Sequence, residues 1–236
     1  MQSSTRSSEH QLAVAGRSVL AYLCQQENGG AGILLLHAWW GLKPFFKQLC
    51  DRLAEQGFLA LAPDLRNGQI ARTVDEAQEL MEESDSKFTN DAVMAATEYL
   101  LNLPDRKGQK IGVIGFSMGA AWSLVVASSV PDQVAAAVLF YGAGEVDANK
   151  IKSKILGHFS DVDPWEPYDE IKHLEANMKA AGVDVQFHLY PGRPHWFVEA
   201  DRPEYDPEAA QLAWERTFGF LRAHLGADAA PGAYNG

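Results

Sequence analysis

A serine between two glycines lies where an apolar segment of the chain changes into helix-forming sequence. The run IGVIGFSMGAA spans residues 111–121 and contains the pentapeptide GFSMG at residues 115–119. A strand, then Gly-x-Ser-x-Gly, then a helix is the pattern of a nucleophile elbow, a sharp turn that holds a serine hydroxyl above the end of a sheet. Side chains at either glycine position would collide with that turn. The pattern predicts that Ser117 attacks a carbonyl carbon.

Such a serine needs a general base and an acid that orients the base, and later segments supply both. The apolar run ILGHF at residues 155–159 predicts a buried strand, and the proline of the following SDVDPW ends it. The alternating run VDVQFHLY at residues 183–190 predicts the next strand, and a PGRPH loop follows it. His195 ends that loop, so the chain order is serine, acid, histidine.

Two aspartates could serve as the acid. Asp161 and Asp163 both follow the strand at residues 155–159. Both would lie at the carboxyl edge of a parallel sheet, where open α/β sheets place their sites. Two further histidines have plainer interpretations, because His173 falls in a predicted helix and His188 in a predicted strand, which favours packing or surface roles.

Residues 12–225 resemble the dienelactone hydrolase family of the α/β-hydrolase superfamily. Besides the elbow, the resemblance rests on LLLHAWWGL at residues 34–42, DRLAEQGFLALAPDL at residues 51–65, DPWEP at residues 163–167 and YPGRPHWF at residues 190–197. It implies a catalytic triad of Ser117, Asp163 and His195.

The resemblance also implies where the oxyanion is bound and which aspartate is the acid. The backbone N–H groups of Trp39, in the loop after the third strand, and of Met118, after the nucleophile, would form the oxyanion hole. Asp163 is favoured over Asp161 because the resemblance aligns it and because Asp161 is nearer the strand. His37, at the end of the third strand, is expected to support the oxyanion loop by hydrogen bonding and not to act as a base.

The nucleophile departs from the best-known members of that family. Those members attack with a cysteine that a glutamate in the loop after the third strand restrains. Here the nucleophile is Ser117 and the aligned loop position is Ala38. The two differences fit each other, because a serine hydroxyl has no need of that carboxylate when a histidine is its base. The chain therefore resembles a serine branch of the family.

The substrate-binding positions depart as well. Those members hold a carboxylated lactone with two arginines, one of which is replaced here by Glu199, and the other has no clear counterpart in residues 73–87. A substrate carboxylate would then meet a negative charge unless Arg193 or Arg72 reaches the pocket. Neutral esters or lactones are the expected substrates.

Aromatic residues are concentrated next to the candidate catalytic positions. We expect them, together with Glu199, to line the substrate pocket. They are Trp40, Phe116, Trp165, Trp196 and Phe197.

Strand and helix patterns alternate along the chain, which predicts an α/β-hydrolase fold with a mainly parallel, twisted sheet of about eight strands and helices on both faces. One domain over residues 9–225 is expected. The polar residues 1–8 are expected to form a disordered tail, and the Gly- and Ala-rich residues 226–236 a flexible tail.

Several classes of partner are disfavoured. A net charge of −11 without a basic cluster disfavours binding to nucleic acid. The glycine pair Gly29-Gly30 precedes a predicted strand, whereas the glycines of a phosphate-binding loop precede a helix, so no cofactor is expected. The two cysteines lack metal-ligand spacing, so no metal is expected. No targeting or membrane-spanning segment is recognisable, which favours a cytoplasmic monomer or homodimer.

These observations predict a serine hydrolase that cleaves small carboxylic esters or lactones through an acyl-enzyme. The alternatives are a catalytically inactive binding module on the same fold, a small peptidase and an acyltransferase.

Overall fold

In the computed structural model, which describes residues 4–226, eight strands form one mixed sheet. The strands are β1 (Thr5–Val14), β2 (Arg17–Gln26), β3 (Gly30–Leu36), β4 (Phe58–Pro63), β5 (Arg106–Phe116), β6 (Val134–Phe140), β7 (Lys154–Phe159) and β8 (Val185–Leu189). Their spatial order is β1-β2-β4-β3-β5-β6-β7-β8. The pairs β1–β2 and β2–β4 are antiparallel, and the five remaining pairs are parallel.

Among the described residues, five α-helices lie between strands of the parallel part of the sheet, and a sixth follows the last strand. They are α1 (Pro44–Glu55), α2 (Val74–Glu82), α3 (Ser86–Leu101), α4 (Met118–Ser129), α5 (Tyr168–Ala180) and α6 (Pro207–Leu225), with a short 3₁₀ helix at Ala148–Lys150. Local signals set several of their starts. The side chains of Thr73, Asp85 and Asp206 each accept a hydrogen bond from a first-turn N–H of α2, α3 and α6 respectively.

The helices cover both faces of the sheet, because successive side chains of a strand point to opposite sides. On β3, Ile33 and Leu35 pack in the core that contains residues of α1 and α6, whereas Leu34 and Leu36 pack in the core that contains residues of α3 and α4. A strand that is buried on both faces has a continuous apolar sequence, and residues 33–36 of β3 have one. The predicted fold, a mainly parallel sheet of about eight strands between two helical layers, is confirmed.

The expected N-terminal tail is wrong for residues 5–8. Strand β1 begins at Thr5, which pairs with Gln26, and Arg6 contacts Asp105 through its guanidinium at 2.6 Å. The polar composition of this segment is compatible with a strand because β2 supplies its backbone partners.

At the other end, Gly226 takes the left-handed conformation (φ 64°) that commonly ends a helix, here α6. The rest of the predicted flexible tail, residues 227–236, lies outside the described residues, as do residues 1–3.

Loops from the parallel strands meet at the carboxyl edge of the sheet, where an open α/β sheet places its site, and four of them carry the candidate site residues. These four follow β3, β5, β7 and β8, which end at Leu36, Phe116, Phe159 and Leu189. Within residues 4–226, no helix is both long and apolar enough to cross a membrane.

Candidate active site

Ser117 lies on a strained turn between β5 and α4. Its backbone has φ 50° and ψ −114°, a conformation that side-chain-bearing residues rarely adopt, and its N–H donates to the Phe140 carbonyl at 2.9 Å. A Cβ at Gly115 would lie 2.1 Å from the Gly119 oxygen, and one at Gly119 would lie 2.1 Å from the Leu36 oxygen. Both glycines are therefore required by close backbone approaches, as the motif predicts.

His195 reaches Ser117 from the loop after β8. Its Nε2 lies 3.0 Å from the serine Oγ, and the imidazole is buried. The loop is held by β7 and its connection: the Ser160 hydroxyl donates to the Arg193 carbonyl, and the Gly192 N–H donates to Oδ1 of Asp161 at 2.7 Å. Asp161 thus supports the loop that carries the histidine.

Asp163 is the aspartate that contacts His195. Its Oδ2 lies 2.5 Å from Nδ1 of the imidazole, and its Oδ1 accepts the N–H groups of Trp165 and Glu166 at 2.8 and 3.2 Å. Because a carboxylate only accepts, Nδ1 carries the proton and Nε2 is left to accept from the Ser117 hydroxyl. Those two backbone donors fix the carboxylate, and the carboxylate fixes the imidazole.

The two residues expected to supply the oxyanion hole come from different elements. Trp39 follows β3, Met118 begins α4, and both line the cavity at Ser117. Among residues 4–226, neither N–H donates to a protein acceptor. The first N–H groups of a helix are unpaired and lie at its positive dipole end, so this corner of the site favours a negative oxygen.

His37 joins the loop after β3 to the loop after β4. Its Nε2 accepts the Leu65 N–H at 3.0 Å, and its Nδ1 lies 2.6 Å from the Ala38 oxygen. The ring must therefore be neutral with its proton on Nδ1. Complete burial agrees with this, since it lowers the pKa of His37 to about 4. The contacts are those of a structural support for the loop that carries Trp39.

A cavity of about 200 Å³ opens at Ser117. Of the predicted pocket residues, Trp165 and Trp196 line it, beside Trp39, with ring centroids 5.1 and 6.1 Å from that of Trp39. Met81 of α2 and Glu166 also line it, and sequence reasoning missed both. Glu166 had one available signal, its position three residues after Asp163, whereas Met81 lies in a helix that no motif links to the site.

Three predicted pocket residues belong to the core instead. Trp40, Phe116 and Phe197 are at most 1% exposed, and Phe116 stacks on Phe140 with centroids 4.7 Å apart. Phe116 is the last residue of β5 and its side chain packs in the core, whereas Ser117 lies on the turn that follows the strand. A position next to a candidate catalytic residue in the sequence therefore does not predict that the side chain lines the pocket.

The expected position of Glu199 in the pocket is also wrong. Its side chain is completely buried, Oε2 lies 2.6 Å from Nζ of Lys43, and Oε1 accepts the Tyr141 hydroxyl at 2.8 Å. Burial raises the pKa of Glu199, and the contacts with Lys43 and Tyr141 act against that rise. A substrate carboxylate therefore does not meet this charge.

The two arginines considered for a substrate carboxylate do not line the cavity. Arg193 pairs with Asp206 at 2.9 Å, and Arg72 lies before α2 with its N–H bound to Glu76. Another arginine is closer, because Arg66 lies behind the pocket wall with Nη2 3.0 Å from Sδ of Met118. Met81 also contacts that guanidinium, so two thioethers separate Arg66 from the cavity.

Glu166 supplies the pocket's carboxyl group. Its Oε1 accepts the Ala143 N–H at 3.3 Å. Burial raises the pKa of Glu166 to about 7, and the negative Asp163 acts in the same direction. Among the described residues, no group of three His, Cys, Asp or Glu side chains is arranged to hold a metal ion.

Several known proteins are similar to this chain over most of its length. Protein usf of Aquifex pyrophilus is 34% identical over 223 residues, covering 89% of this chain and 95% of that protein. An Aquifex aeolicus protein with the provisional name carboxymethylenebutenolidase is 32% identical over 220 residues, with the same coverage. Among solved structures, a dienelactone hydrolase-like promiscuous phosphotriesterase from metagenomic libraries superposes with a TM-score of 0.84 at 22% identity, covering 94% of this chain and 99% of that one, which supports the fold.

A family model also matches the sequence of this chain. The model of the dienelactone hydrolase family matches residues 19–225, which include the loops after β3, β5, β7 and β8. The resemblance stated from the motifs is thereby confirmed. The chain belongs to the dienelactone hydrolase family and is a hydrolase of the α/β-hydrolase fold.

Proposed function

We propose that this protein is a serine hydrolase that cleaves small carboxylic esters or lactones through an acyl-enzyme. The observation that carries the proposal is the continuous chain of contacts from Ser117 Oγ through His195 to Asp163, at 3.0 and 2.5 Å. Nucleophile and base within hydrogen-bond reach, with a third group orienting the base, is the geometry of an activated serine.

In the first half of the reaction, His195 Nε2 takes the hydroxyl proton as Ser117 attacks the carbonyl carbon. The negative oxygen of the tetrahedral intermediate is bound by the N–H groups of Trp39 and Met118, whose lack of protein acceptors among the described residues supports this role. The protonated imidazole then gives its proton to the leaving alkoxide, and the carboxylate of Asp163 stabilises the imidazolium.

In the second half, water replaces the alcohol. His195 takes a proton from the water, which attacks the acyl-enzyme through a second tetrahedral intermediate, and Ser117 leaves with the proton returned. The cavity of about 200 Å³ and its tryptophan and methionine walls support small, largely apolar acyl or alcohol groups.

A covalent probe tests the proposal directly. A fluorophosphonate should label Ser117, and Ser117→Ala should lose both the label and ester hydrolysis, with kcat lower by on the order of 10⁴–10⁶. Ser128→Ala is the matched control, because Ser128 lies on α4 outside the cavity and its hydroxyl donates to the Val125 carbonyl.

The substrate screen should contain short acyl esters, lactones and dienelactones. Hydrolysis by wild type that Ser117→Ala retains, or a label on another residue, would overturn the serine mechanism. Absence of both label and hydrolysis in wild type would overturn the serine mechanism and favour the alternative of a binding module on the same fold.

A further inference from the structure

A second, larger cleft adjoins the catalytic cavity. It has a volume of about 900 Å³ and lies between residues 143–148, which follow β6, and α5. Trp165 and Glu166 line both the cleft and the catalytic cavity. A substrate too long for the cavity at Ser117 would therefore extend past these two side chains.

Glu166 is held at this junction by one backbone and one side-chain hydrogen bond. Its N–H donates to Oδ1 of Asp163, and its Oε1 accepts the Ala143 N–H. The backbone of Glu166 is thus bound to the triad's acid, and its carboxyl group is bound to the segment after β6. Its remaining oxygen has no protein partner among the described residues, and a half-buried carboxylate oxygen favours a hydrogen-bond donor.

No lysine or arginine is among the described residues that line the cleft. One of the lining carboxylates, that of Asp147, has a lysine partner outside the lining, since Nζ of Lys150 lies 4.0 Å from its Oδ2. The ionisable groups that line the cleft with Glu166 are Glu145 and Asp147 from the segment after β6, and Glu170 and His173 from α5. Asp163 and His195 flank Glu166 on the catalytic side. A cation in the cleft would be attracted, and a carboxylate repelled.

We propose that Glu166 is a specificity-determining residue that selects esters carrying a protonated amine on the part of the substrate that extends from Ser117 into the cleft. This inference rests on the proposed function, because it assigns a substrate class to the same site. The ammonium N–H would donate to the free carboxylate oxygen of Glu166, a charge-assisted hydrogen bond in a partly desolvated position.

Selection by a carboxylate depends on pH in a defined direction. Since the pKa of Glu166 is about 7, its negative form increases between pH 6 and pH 8. A tertiary ammonium group remains largely protonated over that range. The preference for the charged ester should therefore rise with pH, and ionisation of His195 does not affect it because both substrates need the same base.

The test uses two isosteric acetates, 2-(dimethylamino)ethyl acetate and 3-methylbutyl acetate, with wild type, Glu166→Gln and the control Glu175→Gln. The amide introduced by Glu166→Gln keeps an acceptor for the Ala143 N–H, and Glu175 lies on α5 outside both cavities, paired with Lys179 at 2.6 Å. We expect kcat/KM for the amine ester to exceed that for its isostere by at least about tenfold at pH 8 in wild type and the control, and the ratio to fall to near one in Glu166→Gln.

Binding to Ser117→Ala separates the inference from the proposed function. Calorimetric titration with the amine ester should show binding that Ser117→Ala/Glu166→Gln loses. Hydrolysis of both esters at equal rates would overturn the inference and leave the function standing. Glu166-dependent binding with no hydrolysis by wild type would overturn the function alone. Neither binding nor hydrolysis would overturn both.

Discussion

Nζ of Lys43 lies 2.6 Å from Oε2 of Glu199, and both side chains are buried beneath the active-site loops. Lys43 also contacts Asp201 at 2.9 Å, and Glu199 accepts the Tyr141 hydroxyl. The Tyr141 ring lies 4.9 Å from that of His195, so this charged network supports the loop that carries the candidate base.

Removal of the lysine should therefore be costly. Lys43→Met leaves a buried carboxylate without its cation, and we expect the free energy of unfolding to fall by about 3 kcal/mol. Lys47→Met, which removes a half-exposed pair with Glu9, should cost less than about 1 kcal/mol. Urea denaturation measures both, and adding Glu199→Gln to Lys43→Met should recover part of the loss. Equal effects of the two lysine variants would contradict the structural role of this pair.

The two aspartates after β7 should differ in their effect on catalysis. Asp163→Asn should lower kcat by on the order of 10³–10⁴ with the fold intact, because the imidazole loses its orienting carboxylate. Asp161→Asn keeps an oxygen for the Gly192 N–H and should cost less than about tenfold. Steady-state kinetics with a short-chain ester compare them, and the opposite ranking would transfer the acid's role to Asp161.

The elbow glycines should not tolerate a side chain. A Cβ at Gly119 would lie 2.1 Å from a backbone oxygen of β3, and we expect Gly119→Ala to lower the unfolding free energy by at least about 3 kcal/mol. Gly219 lies exposed in α6 with open space around it, so Gly219→Ala should stabilise the protein by up to about 1 kcal/mol. Thermal melts distinguish the two, and a well-folded, active Gly119→Ala protein would show that the turn is less tight than described.

Acid should destabilise the protein partly through His37. The folded-state pKa of His37 is about 4, whereas an unfolded histidine titrates near 6.5, so the unfolded state binds more protons between these values. This contribution to stability is complete above about pH 6.5 and is lost as the pH falls towards 4, by about 2 kcal/mol at pH 5. His158, also buried with its pKa lowered by desolvation, acts in the same direction.

The variant His37→Gln isolates this contribution. Its unfolding free energy, measured by urea denaturation between pH 7.5 and pH 5, should fall by about 2 kcal/mol less than that of wild type. Parallel pH profiles for the two proteins would show that His37 is protonated in the folded state.

Much of the fold could be predicted from the sequence, because strand periodicity and turn geometry depend on neighbouring residues. The alternation of strand and helix patterns predicted the parallel sheet. Its strands were recognisable because a strand covered by helices on both faces must be apolar throughout, as residues Ile33 to Leu36 are. The elbow was readable because its tight turn depends on Gly115 and Gly119, which are local in sequence. The positions of Asp163 and His195 after successive strands predicted that they would lie at one edge.

Only the tertiary structure decided which side chains line the cavity at Ser117. Glu199 stands where the sequence suggested a charge in the pocket, but Lys43, from a distant loop, neutralises it in the core. Glu166 and Met81 line the cavity although neither belongs to a recognised catalytic motif. The physical reason is that a side chain's direction in a loop depends on how loops from different strands pack together, whereas the turn at Ser117 and the strand periodicity depend on neighbouring residues.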